Sequence, residues 1–268
     1  MVVLYHKMCI RDSNRMNYME IENIVFNNMG VEVNGPYKKG IVLKNNTFMN
    51  GNYTREKRAD GSIAKVTMEP YIIAKNSKYL IENNIFLRGT NYPGRGISTY
   101  RTKNTNINSN FFGDLDGADD AAKMLPLEVS NRLSIIKNSN LVEGNQGNFF
   151  TAINNERYDT NVLISNNYMN MVEERNILSD FPTDGLVSGI NVAKEGQRRD
   201  HLIYSKSYEN LSIVGNYFKG MENGAAGGVK IRNGQNCYVA VSYTHLDVYK
   251  RQSQLHLLPL SPYLTYFS

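Results

Sequence analysis

The sequence predicts an all-β protein, a right-handed parallel β-helix, because one short phrase recurs along it. In this phrase an asparagine precedes an alternating apolar strand, and a second asparagine follows before an aromatic or apolar residue. A repeat separated by 26 to 49 residues indicates stacked supersecondary units. The closing asparagines of the six full copies are Asn46, Asn84, Asn110, Asn138, Asn167 and Asn216.

The interior of each copy predicts a strand with one buried face. Apolar residues occupy alternate positions, as Ile135 and Ile213 do. Asparagine tolerates the left-handed backbone of tight turns, and in stacked turns its side chains can hydrogen bond one another. We therefore expect rungs about 4.8 Å apart. The alternative is an antiparallel sandwich with Asn-rich turns, which the scarcity of Asn-Gly hairpin signals disfavours.

Both ends of the chain resemble translated sequencing-adapter DNA. The segment VSYTHLDVYKRQ at 241–252 is what two inverted copies of a transposase end sequence encode, and KMCIRDS at 7–13 fits the same element in another frame. We therefore expect residues 1–13 and 241–268 to be non-native and to contact the rest of the chain little. On this interpretation, 14–240 is a parallel β-helix fragment truncated at both ends, and the true N-terminus is missing.

The composition excludes several classes of function. The formal net charge is +5, of which the two end segments supply two charges, and this is too small to indicate a nucleic-acid partner. No run of 18 apolar residues predicts a membrane span. Cys237 is the one cysteine outside the end segments, so it predicts no intrachain disulfide.

Three polar insertions between the predicted rungs are candidate substrate-facing loops. They are a mainly basic segment, an acidic segment and a segment predicted to include a helical turn. Solvated surface loops are the alternative for each. The three insertions span 51–65, 113–123 and 172–185.

A column of basic residues is the sharpest chemical signal. Lys206 precedes Asn210 by four residues, and Arg232 precedes Asn236 by four. If these asparagines stack, the two cations lie at the same place on neighbouring rungs and point outward. Arg157 precedes an asparagine by the same distance and is a weaker member of the column.

The chemistry of this column depends on the charge of its members. Repulsion between stacked cations favours a general-base role for the lysine, while the arginine stays charged and can clamp a carboxylate. A solvated basic strip is the alternative, as are separate contacts of each cation with a nearby carboxylate.

The stretch 204–239 resembles polysaccharide lyase family six, the alginate lyase and chondroitinase B group. Lys206-Ser207 matches the lysine strand of that family, and Ile231–Cys237 (IRNGQNC) matches its next rung, with Asn233 in place of the family's histidine. The resemblance implies a right-handed, pectate-lyase-like β-helix that is secreted, periplasmic or cell-surface. It further implies β-elimination on an acidic, uronate-containing polysaccharide, with Lys206 as base and Arg232 as acid.

The sequence departs from this family at its calcium ligands. The family has glutamates seven and five residues before its lysine, whereas this chain has Arg199 and His201. Calcium prefers hard oxygen ligands, which arginine and histidine do not supply. The chain therefore does not match the family's calcium site, and its cofactor is unknown. Either basic side chains neutralise the substrate carboxylate, or the lyase reaction has been lost.

Further substrate contacts are predicted beside the column. Arg199, His201 and Arg157 are candidates by position and charge. Tyr204 is a candidate for stacking on a sugar, and Lys230 shares the face of Arg232.

Two other functions stay open. One is a non-catalytic carbohydrate-binding or surface/tail-spike β-helix. The other, a glycoside hydrolase, needs converging carboxylates, and Asp119-Asp120 is an adjacent acidic pair placed in a predicted loop.

Overall fold

A computed structural model gives the structure of the chain. It describes 2–4, 8–11, 17–51, 54–57, 59, 63–67, 70–87, 95–139, 141, 151–170, 202–219, 228–240 and 243–244. For some of these residues it describes the backbone alone, namely 2–4, 8–11, 54–57, 63–67, 95, 151–152, 154, 156–157 and 243–244.

The described chain is built mainly of strands. The strands are β1 (Val2–Leu4), β2 (Met8–Arg11), β3 (Tyr18–Glu22), β4 (Ile24–Asn27), β5 (Val31–Asn34), β6 (Gly40–Lys44), β7 (Thr47–Met49), β8 (Thr54–Lys57), β9 (Ile63–Thr67), β10 (Ile72–Lys75), β11 (Tyr79–Glu82), β12 (Ile85–Leu87), β13 (Arg95–Tyr100), β14 (Lys103–Asn108), β15 (Phe111–Gly113), β16 (Thr151–Ser165), β17 (Tyr168–Asn170), β18 (Ile203–Val214), β19 (Tyr217–Lys219), β20 (Val229–Arg232), β21 (Gln235–Ala240) and β22 (Tyr243–Thr244). A 3₁₀ turn (Leu115–Gly117) and the helices α1 (Ala118–Ala121) and α2 (Leu127–Lys137) follow β15.

These strands stack as parallel rungs with three faces, so the predicted all-β, parallel architecture is confirmed. Face 1 contains β3, β6, β11, β14, the later parts of β16 and β18, and β21. Face 2 contains β1, β4, β7, β12, β15, β17, β19 and β22. Face 3 contains β2, β5, β10, β13, the earlier parts of β16 and β18, and β20. In the described residues, β8 and β9 form the one antiparallel pair. β8 lies in the segment 51–65 that was predicted as a basic loop, and β9 begins in that segment and extends beyond it.

Identical side chains stack along the interior of the coil. In face 2, Phe26, Phe48, Phe86 and Phe112 form a column with ring centroids 4.6, 5.0 and 4.6 Å apart and nearly parallel planes. In face 1, Ile81 and Ile213 are buried members of a second apolar column. Because a slip of one residue would turn a whole strand outward, these columns fix the register of the rungs.

The corner between faces 1 and 2 explains the repeated asparagines. The chain turns through a left-handed residue, such as Asn83 (φ 55°) or Ser109 (φ 55°), and a fully buried asparagine follows. Asn84 Nδ2 donates to Asn110 Oδ1 at 3.0 Å, and Asn110 Nδ2 donates to Asn167 Oδ1 at 2.9 Å. The predicted ladder is confirmed for five of the six closing asparagines, which are Asn46, Asn84, Asn110, Asn167 and Asn216.

The remaining predicted copy of the strand repeat, at 130–141, is wrong, because this segment contains most of α2. Val129, Leu133 and Ile136 are buried at helical spacing, whereas Ile135 is 67% exposed. They pack on the outer side of face 2, against a cluster that includes Phe111 and Tyr168. The apolar alternation fits a strand, but the spacing of four and three residues fits an amphipathic helix equally well. Asn138 is therefore the C-cap of α2 and not a ladder member.

Short strands near both ends of the chain continue the stack. β1 pairs with β4, β2 with β5, and β22 with β19, all in parallel. The expectation that 1–13 and 241–268 contact the coil little is therefore wrong for these three strands. The adapter interpretation concerns the origin of these residues and stays a prediction.

Candidate functional site

The predicted pairing of Lys206 with Arg232 is confirmed. β18 and β20 run in parallel with these two residues in register, at the end of face 3. Ile203 and Ser205 are buried, and Val229 and Ile231 pack against the core. Strand alternation therefore directs the two cations outward, and both are exposed.

Arg157 does not belong to this column, which corrects the sequence prediction. The residue in register with Lys206 on β16 is Glu156, and the register shifts between Glu156 and Asp159. The shift places two residues of β16, Arg157 and Tyr158, opposite one residue of β18, Ser207, so Arg157 lies within a bulge. Counting four residues back from Asn161 gives the wrong residue, because the extra residue of β16 lies between Glu156 and this asparagine. The Arg157 side chain lies outside the described part.

Tyr204 and Lys230 complete a small patch with the two cations. They are also in register with each other, two residues before Lys206 and Arg232, and both are half-buried. Neighbouring strands lie about 4.8 Å apart, and residues i and i+2 about 6.7 Å apart. We call these four residues the basic patch.

The two cations of the patch are not neutralised by the described protein. Ion pairs with carboxylates occur elsewhere on the stack, for example Lys75 Nζ with Glu32 Oε1 at 2.5 Å on face 3. Among the described side chains, neither Lys206 nor Arg232 forms an ion pair. Lys206 and Arg232 thus lie side by side as exposed cations, and the residue in register with Lys206 on its other side is the acidic Glu156, whose side chain lies outside the described part.

The calcium site implied by the family resemblance does not fit this chain. Arg199 and His201 occupy the ligand positions, and neither supplies the hard oxygen that Ca²⁺ prefers. Both residues lie outside the described part. Within the described ranges, no group of three His, Cys, Asp or Glu residues could hold a metal.

The acidic segment is structural and does not form a pair of converging carboxylates. Its predicted loop contains the 3₁₀ turn and α1. Asp120 Oδ2 pairs with Lys219 Nζ at 2.5 Å, and Asp119 Oδ2 pairs with Lys137 Nζ at 2.9 Å. These contacts fasten the insertion to β19 and α2. The Asp119-Asp120 pair is thus engaged with cations.

A buried carboxylate inside the coil was missed by the sequence analysis. Asp159 is fully buried at the corner between faces 3 and 1. Its Oδ1 accepts from Thr102 N at 2.6 Å and from Thr102 Oγ1 at 2.8 Å, and its Oδ2 accepts from Thr99 Oγ1 at 2.9 Å. Burial raises the pKa of Asp159 to about 6, although these three hydrogen bonds lower it in part. The sequence YDTN around Asp159 does not indicate that its side chain is buried, because no sequence motif marks the bulge that turns it inward.

The raised pKa of Asp159 predicts that mildly acidic pH stabilises the folded chain. The pKa rises from 3.8 to about 6 on folding, so the folded chain binds the proton more tightly. This contribution is about 3 kcal/mol below about pH 4, and it is lost as the pH rises to about 6. Asp159→Asn should reduce this dependence, leaving the smaller part that the raised pKa of Asp114 contributes, and should be more stable than the unsubstituted chain at neutral pH. Urea unfolding between about pH 4 and pH 7 measures this. Asp116→Asn, at an exposed carboxylate, is the control that should retain the dependence.

Comparisons with known proteins found no matching family model, no matching curated protein and no matching solved structure.

Among the described helices, none is both long enough and apolar enough to cross a membrane.

Proposed function

We propose that this chain is a right-handed parallel β-helix that acts on an acidic, uronate-containing polysaccharide by β-elimination. One observation carries the proposal, namely the pairing in register of Lys206 and Arg232, both exposed, on the outer side of face 3. The sequence resemblance to polysaccharide lyase family six supports the same two residues. Such substrates occur outside cells, so the proposal includes a secreted, periplasmic or cell-surface location.

The proposed reaction uses the two cations differently. Lys206 Nζ, in its unprotonated form, removes the proton beside the uronate carboxylate. The released electron pair forms a carbon–carbon double bond, and the bond to the glycosidic oxygen breaks. Arg232, in the position of the acid, stays charged and donates a hydrogen bond to this oxygen, which takes its proton from water. The hydroxide that remains takes up the proton now held by Lys206 Nζ.

The substrate carboxylate must be neutralised for the proton to leave. Lys230 lies beside the pair on the same side of β20, and a lysine at that position can supply positive charge to the carboxylate. Tyr204, in register with Lys230, offers a ring on which a sugar can stack. Arg199, His201 and Arg157 stay predicted substrate contacts, since the structure describes none of their side chains.

A second candidate function is a carbohydrate-binding β-helix without catalysis. Two observations favour it. The calcium ligands of the family are replaced, and Asn233, with φ 48°, occupies the position of the family's histidine. The basic patch would then bind an acidic glycan through charge and stacking alone.

Ultraviolet absorbance distinguishes the two functions, because elimination creates an unsaturated uronate that absorbs and simple binding does not. The full chain is incubated with alginate, chondroitin sulfate, dermatan sulfate and a neutral glucan as control. We expect absorbance to rise with at least one acidic glycan and to stay flat with the neutral one. Binding of acidic glycans without a rise would favour the binding protein. Neither binding nor a rise would contradict both functions.

A further inference from the structure

A column of buried polar residues lies directly behind the basic patch. Asn155 is in register with Thr99 on one side and with Ser205 on the other. Each immediately precedes a residue at the outward end of face 3, and all three side chains are fully buried. Elsewhere on face 3 the inward positions are apolar, as at Ile97, Ile153 and Ile203. The interior of the coil is therefore locally polar.

This column contains hydrogen-bonding groups that the protein does not satisfy. The Oδ1 and Nδ2 atoms of Asn155 and the hydroxyl of Ser205 are buried without a partner. Asp159 Oδ2 accepts one hydrogen bond, from Thr99 Oγ1, and a carboxylate oxygen can accept two. Thr99 thus links the column to the buried carboxylate. The closing asparagines of faces 1 and 2, by contrast, satisfy one another.

We infer that Asn155, Ser205 and Asp159 form an internal binding site for ordered water. Buried water typically makes about three hydrogen bonds to polar groups that lack partners. The hydrogen-bonding groups at the site determine whether it binds water or a cation. A cation could bind Asn155 Oδ1 and Ser205 Oγ, but it would leave the amide hydrogens of Asn155 Nδ2 unpaired, whereas water both donates and accepts. This inference does not depend on the proposed function.

Water relaxation dispersion tests the site, because a water molecule held inside a protein exchanges slowly and gives a separate contribution to the relaxation of the solvent. The full chain is compared with Asn155→Leu, which keeps the approximate shape of the side chain but removes both polar atoms. Ser205→Ala is a milder second variant in case Asn155→Leu does not fold, and far-ultraviolet circular dichroism checks folding. Ser212→Ala, at a half-buried outward position on β18, is the matched control.

We expect the unsubstituted chain and Ser212→Ala to hold equal numbers of long-lived waters. Asn155→Leu, or Ser205→Ala, should lose at least one. An unchanged number in whichever of the two variants folds would overturn the inference. Melting temperatures in sodium, potassium and tetramethylammonium chloride provide a second readout. Stabilisation by sodium or potassium that disappears in Asn155→Leu or Ser205→Ala would show a cation in place of water and would also overturn it.

Discussion

Lys206→Ala is expected to reduce elimination of the acidic glycan by about 100- to 10,000-fold, which is the usual contribution of a positioned general base. The side chain is exposed and, within the described part, makes no ion pair, so its removal should leave folding almost unchanged. The rate of ultraviolet absorbance increase measures the loss. Circular dichroism and urea unfolding show whether the fold is retained.

Lys206→Arg separates the chemical role of Lys206 from its charge. Arginine keeps the positive charge but does not lose its proton in proteins, so it cannot serve as a base. We expect glycan binding to be retained and turnover to stay as low as in Lys206→Ala. Lys103→Ala, at an exposed lysine on face 1, is the matched control and should be fully active. Full activity of Lys206→Ala would remove the base assignment, and full activity of Lys206→Arg would reduce Lys206 to a charge contact.

The sequence was sufficient for the architecture because the repeat carries its own register. Asn84 and Asn110 occupy equivalent corners on neighbouring rungs, and the backbone N–H and the side-chain amide of Asn84 both donate to Asn110 Oδ1. A residue that must occupy the same place on each rung leaves a visible period. The same reasoning placed Lys206 and Arg232 together, since no insertion falls between either residue and its corner asparagine.

Prediction failed where the local pattern was ambiguous or the register was interrupted. The segment from Ser130 to Leu141 has apolar residues that fit both a strand and a helix, and the choice depends on a tertiary contact with the outer side of face 2. Arg157 was misplaced by one extra residue in β16, which spacing to Asn161 does not reveal. The buried Asp159 follows from that same bulge. Tertiary packing therefore determined the first of these features, and an extra residue in β16 determined the other two.

Asn110→Ala is expected to destabilise the coil by at least about 3 kcal/mol, the largest stability effect that we predict. Asn110 Oδ1 accepts from Asn84 N and Nδ2, and Asn110 Nδ2 donates to Ile81 O and to Asn167 Oδ1. Alanine removes all four bonds and leaves the buried Asn84 N–H without its partner, whereas Asn84 Nδ2 still donates to Leu43 O and Asn167 Oδ1 still accepts from Asn110 N. Each lost bond contributes about 0.5–1.5 kcal/mol, and the unpaired buried N–H costs about 1–3 kcal/mol more. Urea unfolding monitored by circular dichroism measures the change.

Asn106→Ala is the matched control for this prediction. Asn106 lies on the same strand stack, four residues before Asn110, but it is half-buried on the outer side and its Oδ1 has no partner. We expect its substitution to change stability by less than about 0.5 kcal/mol. If the two variants were equally stable, the ladder would be a consequence of stacking rather than a cause of it. A large difference would mean that the corner asparagines hold the rungs together, because Asn106 Oδ1 accepts no hydrogen bond that its substitution could remove.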